Sequence, residues 1–515
     1  MNTSLNNKRI AKNTAFLYIR MFISMAISFF TAGIVLNTLG VVDYGIFNVV
    51  GGLVTMFTIV SNSLSAASSR FIAFELGKEN GFPRNVFSTS IHIHLGLAVL
   101  MVILLETVGL WFLSSKLVIP PDRMLAAHWV FQCSVLSMTC NLIGIPYIAD
   151  IMANEHMDAF AYIGIFESAL RLLILFLLMM GDMDKLILYG ILQFFVALLI
   201  QIIYIIYCKH HFNEASINWV INRNLVKKMA SFSGWNFIGS SSALIRDQGV
   251  NMILNMFCGP AINAARGIGI SVNNIISGFG TNLLGAINPQ ITKSYACGNI
   301  QYAFLLVRNA SRYAFLLLFF IVYPIMVRTE LLLQIWLRNV PEYAVVFTQL
   351  TLCFSLIEII SNPLITLVLA TGNIKWYQII VGGAQLLNLP LSFLCLKSGF
   401  PPEITVCVAI IIGIVCLFLR LIILQRIINL SAWTFIKTSA GKALLIVGTA
   451  WSFYLFTNSF WECSILQSFI YMIVCTIFNG AIICIIGLTK NERKLLYYYI
   501  TQRMRKDNEN RHTYI

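Results

Sequence analysis

The chain has 515 residues, of which 58% are hydrophobic and only 11% are charged, and its formal net charge is +14. A soluble domain is nearer 45–50% apolar and about 25% charged, so this composition excludes a water-soluble globular protein. Backbone amides in hydrocarbon have no water to bond, and the apolar runs have the length of about 20 residues that a membrane helix needs. The sequence therefore predicts an all-α polytopic membrane protein.

Apolar runs predict about fourteen membrane-spanning helices. The first run has about 26 residues, whereas the apolar region of a secretory signal has roughly 7–15, so we expect it to remain as a helix. In chain order, the predicted spans are 14–39, 44–69, 86–113, 124–148, 157–180, 185–208, 230–257, 260–289, 305–327, 343–370, 375–396, 403–428, 438–457 and 464–488.

Lysine and arginine residues support this count, because the cytoplasmic segments of membrane proteins are enriched in them. With the N-terminus in the cytoplasm, most of the 35 Lys and Arg residues fall in inner segments. Both termini are therefore predicted to be cytoplasmic, and the positive charge is expected to face anionic lipid rather than a nucleic acid. The exceptions are Lys116, Arg123, Lys185, Arg328, Arg338 and Lys397 in outer segments, and Arg20, Arg171, Arg246 and Arg266 within spans.

The second half of the chain repeats a feature of the first. Residues 36–40 (LNTLG) close the first predicted helix, and residues 254–259 (LNMFCG) close the seventh. Six helices separate the copies, so both run in one direction, which predicts two pseudo-symmetric six-helix lobes. The predicted domains are an N-lobe at 1–222, a C-lobe at 223–430, two additional helices at 431–489 and a basic cytoplasmic tail at 490–515.

Polar residues recur on one face of the first two predicted helices of each half. Steps of three, four and seven residues place them on one stripe of a helix. Serine and glycine in such stripes also suit close helix packing, but asparagine and aspartate are costly in lipid and need a wet or paired environment. We expect these helices to line a central polar cavity, with the candidate substrate-binding residues Asn48, Asp247, Asn251, Asn255, Asn263 and Asn273.

Three arginines embedded in these helices extend the predicted site. An embedded guanidinium marks a substrate path or a buried pair, and its planar fork matches phosphate geometry. We predict that Arg20, Arg246 and Arg266 attract a pyrophosphate head group. Two alternatives stay open, namely neutralisation of Arg246 by Asp247 and extension of Arg266 to the membrane interface.

The remaining residues give no sign of catalysis or of a bound cofactor. Arg171 follows Glu167 by four residues, which predicts an ion pair on one helix. The chain has no GxxxxGK[ST] motif, its twelve cysteines form no CxxC pair, and the longest predicted outer loop is only residues 328–342. We predict neither an enzyme nor a metal site, and the coupling ion, proton or sodium, is left open.

Several segments then carry a family resemblance. Residues 259–268 (GPAINAARGI) and 288–295 (NPQITKSY) are similar to an eighth helix, residues 39–47 (LGVVDYGIF) to a first outer turn, and residues 335–341 to an outer loop before a tenth helix. In this order and spacing they resemble the Wzx-like polysaccharide branch of the multidrug/oligosaccharidyl-lipid/polysaccharide (MOP) flippase superfamily. The fourteen-span plan extends the resemblance over nearly the whole chain.

The resemblance implies a MATE/MOP-like fold of two bundles with alternating access. It implies transport of undecaprenyl-pyrophosphate-linked oligosaccharide across the bacterial cytoplasmic (inner) membrane, for O-antigen, capsule or exopolysaccharide assembly. The implied partners are this lipid-linked oligosaccharide, membrane lipids and polysaccharide polymerase or assembly proteins.

Two other classes compete with this reading. The first is a MATE-like, cation-coupled drug or metabolite antiporter, of which one large group uses an acidic residue within the first helix. Residues 14–39 contain no acid, and Asp43 falls at the outer turn. The second is a membrane glycosyl enzyme, for which the short outer loops leave little room.

Overall fold

The structure is a computed structural model of the chain, and it is helical almost throughout the part that it describes. Each helix satisfies its own backbone hydrogen bonds, as the bilayer requires. The described residues are 12–27, 34–35, 38–39, 43, 46–47, 50–51, 54, 58–115, 119–180, 183–216, 222–258, 260–337, 340–458 and 465–494.

In the first half of the chain, the described residues form six helices. The described part of α1 is 12–27, and α3 contains a π-helical turn at Leu105–Gly109. The other bounds are Thr58–Leu76 (α2), Pro83–Ser115 (α3), Met124–Ala153 (α4), Met157–Met180 (α5) and Lys185–His211 (α6).

The second half contributes eight long helices and the short helix Thr329–Trp336. The long helices are Arg223–Cys258 (α7), Pro260–Ala296 (α8), Ile300–Val327 (α9), Ala344–Thr371 (α10), Lys375–Lys397 (α11), Ile404–Ile428 (α12), Ala432–Thr457 (α13) and Ile465–Gly487 (α14).

A helix corresponds, at least in part, to each of the fourteen predicted spans, so the predicted all-α polytopic fold is confirmed. Among the described residues, ten helices are long and apolar enough to cross a membrane, namely α3–α6 and α9–α14. The helices α7 and α8 are 36 and 37 residues long but are not among these ten. Their polar stripes lower the hydropathy of helices that are otherwise long enough to span.

Several helices extend beyond the predicted spans at the predicted cytoplasmic side. Helix α7 begins at Arg223 rather than at residue 230, α8 ends at Ala296 rather than at 289, and α4 ends at Ala153 rather than at 148. An apolar run marks only the length that lies in hydrocarbon, whereas the backbone hydrogen bonds of a helix also form in water. The predicted spans are therefore shorter than the helices that contain them.

The chain forms two compact units. Unit 1 comprises Met1–Arg246, Asn282–Leu306 and Ile365–Leu386, and unit 2 comprises Asp247–Thr281, Val307–Leu364 and Leu387–Ile515. The boundaries fall inside helices, so α7–α11 each contribute one part to each unit. The domain boundaries given by the sequence remain a prediction.

Helix α4 is central to unit 1, where it packs against α2, α3 and α6. Its apolar side chains Val130, Phe131 and Ile151 are fully buried. A polar turn, Asn154 to His156, follows α4 and leads into α5. This turn brings polar groups to the predicted cytoplasmic end of the unit.

In unit 2, the last two helices pack against α9. The Tyr323 hydroxyl donates to the carbonyl of Ala450 on α13 at 2.7 Å, and Asn479 Nδ2 on α14 donates to the carbonyl of Phe319 at 3.2 Å. Both donors are buried. Buried polar groups that bond backbone carbonyls fix the register of one helix on another.

Candidate functional site

In unit 2, Arg266 lies in the first turns of α8 and contacts the end of α7. Its Nη1 donates to Asn251 Oδ1 and, at 3.4 Å, to the backbone carbonyl of Asp247. Arg266 is 8% exposed. The guanidinium is thus held inside unit 2 between two predicted site residues, which argues against its extension to the membrane interface.

Further along α8, Asn273 forms a hydrogen-bonded cluster with serines. Its Oδ1 accepts from Ser277 Oγ at 3.2 Å and from Ser355 Oγ on α10. Asn263, one turn before Arg266, has a buried side-chain oxygen without a hydrogen-bond partner. A buried amide oxygen normally has a partner, so Asn263 is equipped to accept a hydrogen bond from a bound molecule.

In unit 1, Arg20 lies on α1 against α5. Its guanidinium carbon is 4.0 Å from the centre of the Phe160 ring. A Cβ atom at Gly164 would lie 2.3 Å from Arg20 Nε, so the glycine makes room for this side chain. Arg246, on α7, is 8% exposed. Both arginines therefore contact protein rather than lipid along much of their length.

Unit 1 also contains a cavity of about 650 Å³ between α2, α4 and α6. Its described lining has one cation, Arg171, and no carboxylate. Asn141 Oδ1 accepts a hydrogen bond from Gln201 Nε2 at 3.0 Å within it. The polar lining residues are Ser61, Ser134, Ser137, Asn141, Arg171, Tyr189, Gln193 and Gln201.

A buried ionic cluster joins α1, the turn after α4, and α8 at the predicted cytoplasmic end of unit 1. Glu155 accepts hydrogen bonds from Lys293 Nζ at 3.2 Å and from Gln290 Nε2 at 3.0 Å. Asn13 Nδ2 donates to the Glu155 carbonyl at 3.0 Å. Glu155 is 5% exposed and has a φ of 63°. We name Asn13, Glu155, Gln290 and Lys293 the inner cluster.

The second contact at this end of unit 1 involves Arg70, in the last turns of α2. Its Nε donates to the carbonyl of Leu369 at 3.1 Å, and its Nη2 donates to that of Ala370 at 3.0 Å. These carbonyls belong to the last turn of α10, where unpaired carbonyls and the helix dipole favour a cation.

At the predicted outer end of unit 1, Arg123 lies between two aspartates. Its Nε donates to Asp43 at 2.8 Å and its Nη1 donates to Asp184 at 2.5 Å. Burial raises the pKa of Asp184, but the hydrogen bonds from Arg123 and from the amides of Ile187 and Leu186 outweigh it and lower the pKa below its ordinary value.

The structure brings some of the predicted residues together. Arg266, Asn251 and Asp247 are in contact, and the ion pair of Arg171 with Glu167 is confirmed at 2.7 Å. Asn48 and the side chain of Asn255 lie outside the described residues. In the described part of the chain, no cluster of three His, Cys, Asp or Glu residues is arranged to hold a metal ion.

The sequence did not predict the inner cluster or the contacts of Arg70. Glu155 stands in a short polar turn, and its only signal was an acid flanked by Asn154 and His156. The groups that bind Arg70 are backbone carbonyls about three hundred residues away along the chain, and these leave no pattern in a sequence.

Comparison with solved structures identifies the class of fold. The structure is similar to that of MATE in the straight conformation, with a TM-score of 0.70 and 13% identity over 82% of this chain and 96% of the other. It is similar to MATE in complex with MaD3S, with a TM-score of 0.68 and 14% identity over 81% and 96%. It also resembles a MOP superfamily transporter from Pyrococcus furiosus, described as having a binding pocket of reverse polarity, with a TM-score of 0.65 and 14% identity over 81% and 96%.

This chain therefore has the fold of the MATE transporters of the MOP superfamily. At 13–14% identity the likeness concerns the fold alone. No protein-family model and no curated protein matches the sequence. Three of the similar structures are described as transporters.

Proposed function

We propose that this chain is a flippase that moves undecaprenyl-pyrophosphate-linked oligosaccharide from the cytoplasmic to the outer leaflet by alternating access. The observation that carries the proposal is the charge of the unit 1 cavity, whose described lining has one arginine and no carboxylate. A site for a cationic drug normally supplies an acid to offset the charge that loses its water. Because Glu167 already pairs with Arg171, this lining carries little net charge and suits a neutral polar molecule such as a sugar.

The other polar groups of the cavity suit a sugar. Serine hydroxyls both donate and accept, and asparagine and glutamine amides offer donors and acceptors side by side. Sugar hydroxyls need such mixed partners. The cavity of about 650 Å³ falls within the range of about 300–1,000 Å³ that is typical of small-molecule sites.

The embedded arginines supply the charge for the pyrophosphate in this proposal. Arg266 keeps a fixed orientation through Asn251, and Arg20 is positioned by Phe160 and Gly164. A guanidinium stays protonated and binds phosphate oxygens with two parallel N–H groups. Within unit 1, Arg246 would add a second cation to Arg20, and within unit 2, Asn263 and Asn273 would contact sugars while the prenyl tail stays in lipid.

A MATE-like drug or metabolite antiporter is the second candidate, and the fold itself favours it, because similar solved structures are MATE transporters. The transporter from Pyrococcus furiosus is described as having a pocket of reverse polarity and a different function. This fold therefore accommodates pockets of more than one charge, and the charge of the lining is the better guide to the substrate class.

The proposal places the protein in a bacterial cytoplasmic membrane with both termini inside, in a pathway for O-antigen, capsule or exopolysaccharide. It calls for no cofactor beyond a coupling proton or sodium ion, or a downstream reaction that consumes the exported sugar. Polymerase and assembly proteins would act on the product at the outer face.

The test is the leaflet distribution of undecaprenyl-pyrophosphate oligosaccharide in cells without the gene, complemented with wild type or with variants. Arg20→Gln and Arg266→Gln remove the proposed phosphate contacts. Arg426→Gln is the matched control, because Arg426 is an exposed arginine at the predicted cytoplasmic end of α12.

We expect the substrate to accumulate in the inner leaflet in the deletion strain and in both site variants, and not in the control. Loss of one charge-assisted contact should slow transport about tenfold or more. If the substrate accumulated in the deletion strain but in neither site variant, the proposal of a flippase would stand and the proposed arginine site would be rejected. An unchanged distribution in the deletion strain would reject the flippase and favour drug export.

A further inference from the structure

A second cavity of unit 1 is not explained by the proposed transport path. It has a volume of about 800 Å³ and lies where the start of α7 meets the turn between α10 and α11. Four cations line it, and no carboxylate is among its described lining residues. The four cations are Arg70, Lys227, Lys228 and Lys375.

Arg70, in one wall of the cavity, is held in a fixed position by its neighbours. Arg70 is fixed by the two carbonyls of α10, and its guanidinium carbon lies 4.5, 4.7 and 5.4 Å from the ring centres of Phe71, Phe74 and Phe232. Gly372 has a φ of 77°, and a Cβ atom there would lie 2.6 Å from Arg70 Nη2.

The other three cations are available to a ligand. Lys227 and Lys228 are exposed on the first turns of α7, and neither has a carboxylate partner in the described part of the chain. Lys375 Nζ lies 5.5 Å from the centre of the Trp235 ring and 5.8 Å from that of Trp376. Trp376 is 63% exposed, as is typical of a tryptophan at a membrane interface.

Several like charges around one cavity repel each other unless an anion lies between them. The charges lie in segments that are predicted to be cytoplasmic, beside aromatic residues that prefer the depth of the lipid head groups. Basic pockets between helices on the cytoplasmic side are suited to the phosphate of a lipid head group.

We propose that this cavity binds a lipid-borne phosphate. Lys227, Lys228 and Lys375 contact the phosphate oxygens, Arg70 provides fixed positive charge behind them, and Trp376 contacts the lipid chain. The phosphate belongs either to an anionic bilayer lipid or to a polyprenyl pyrophosphate waiting to be transported. Both lipids present a phosphate to the cavity. The inference therefore goes beyond the proposed function, because a bilayer lipid would bind here whether or not the chain is a flippase.

The test measures binding by the purified full-length protein in neutral detergent. Three probes are compared: phosphatidylglycerol, polyprenyl pyrophosphate and inorganic pyrophosphate. The variant combines Lys227→Gln, Lys228→Gln and Lys375→Gln. The matched control combines Lys209→Gln, Lys437→Gln and Lys490→Gln, which removes three exposed lysines that lie outside the cavity.

We expect lipid binding to weaken about 100-fold in the variant and to stay unchanged in the control. Binding of phosphatidylglycerol alone would assign the site to bilayer lipid, and binding of polyprenyl pyrophosphate alone would assign it to the substrate. Equal affinities of the variant and the control, or binding of inorganic pyrophosphate without either lipid, would overturn the proposal. Transport itself is measured separately, so a failed flippase assay does not decide this result.

Discussion

At the residue scale, a substitution at Gly164 tests whether the position of the Arg20 side chain matters for transport. In Gly164→Ala, the new Cβ atom would lie 2.3 Å from the present position of Arg20 Nε, which is too close for two non-bonded atoms. Because an arginine side chain is flexible, we expect it to leave Phe160 while the helix stays intact. Transport of the lipid-linked sugar should fall about tenfold, close to the effect of Arg20→Gln.

The matched control is Gly383→Ala, because a Cβ atom there meets nothing within 4 Å. Both glycines lie inside helices, where alanine is favoured by roughly 0.5–1 kcal/mol. Melting temperature in detergent should therefore rise slightly for the control, with transport unchanged. Normal transport by Gly164→Ala would show that the position of Arg20 does not matter.

The sequence selects several candidate site residues but does not show their hydrogen-bond partners. Polar periodicity selected Arg266 and Asn251 separately, and their contact required knowing how the end of α7 faces the start of α8. The serine partner of Asn273 on α10 is 82 residues away along the chain. A single sequence gives the face of a helix, whereas the pairing of two faces is a tertiary property.

At the element scale, Arg123 holds the start of α4 close to Asp43 and to Asp184, which caps α6. The pKa of Asp184 is lowered in the folded state, so its contribution to stability is present above its unfolded pKa of about 3.9 and is lost as pH falls through the lower, folded value. Melting temperature should therefore fall as the pH is lowered from 5 to 3.

The substitution Arg123→Gln should weaken this dependence. It leaves two carboxylates without their cation, so the variant should melt at a lower temperature at pH 7 and lose less stability on acidification. Lys185→Gln, which removes a neighbouring outer lysine that has no salt bridge in the described part of the chain, serves as the control. Identical pH profiles for Arg123→Gln and wild type would contradict the role of this ion pair.

The number and order of the helices could be predicted because a bilayer imposes a length of about 20 apolar residues on each span. The ends of the helices could not be predicted, because α7 and α8 extend beyond their apolar runs to Arg223 and Ala296. The polarity of α7 and α8 was visible in the sequence as stripes, and both are absent from the ten helices of high hydropathy. Hydropathy alone would have missed these two helices.

At the scale of the whole molecule, the inner cluster joins helices from both halves of the sequence within unit 1. Under the proposed alternating access, contacts at the predicted cytoplasmic end would break during the cycle. We expect Glu155→Gln to loosen this end, because it removes the charge of the carboxylate that accepts a hydrogen bond from Lys293 Nζ. Backbone amide exchange at 150–157 and 286–296 should become about 5–160 times faster, as for the loss of about 1–3 kcal/mol.

Lys12→Met is the control for this experiment. It removes an ion pair with Asp158 at the same end of unit 1, but Lys12 is 63% exposed and the distance is 3.5 Å. An exposed pair contributes little, so exchange should hardly change. If Glu155→Gln exchanged no faster than Lys12→Met, the inner cluster would not stabilise this end of unit 1.

The central claim is that this chain moves a lipid-linked oligosaccharide, and reconstitution tests it most directly. Purified protein in vesicles would receive undecaprenyl-pyrophosphate oligosaccharide in one leaflet, and a glycosidase outside would measure its arrival in the other. We predict movement that depends on the protein and slows about tenfold or more with Arg266→Gln. No protein-dependent movement of the lipid, together with export of a cationic drug by the same vesicles, would contradict the account.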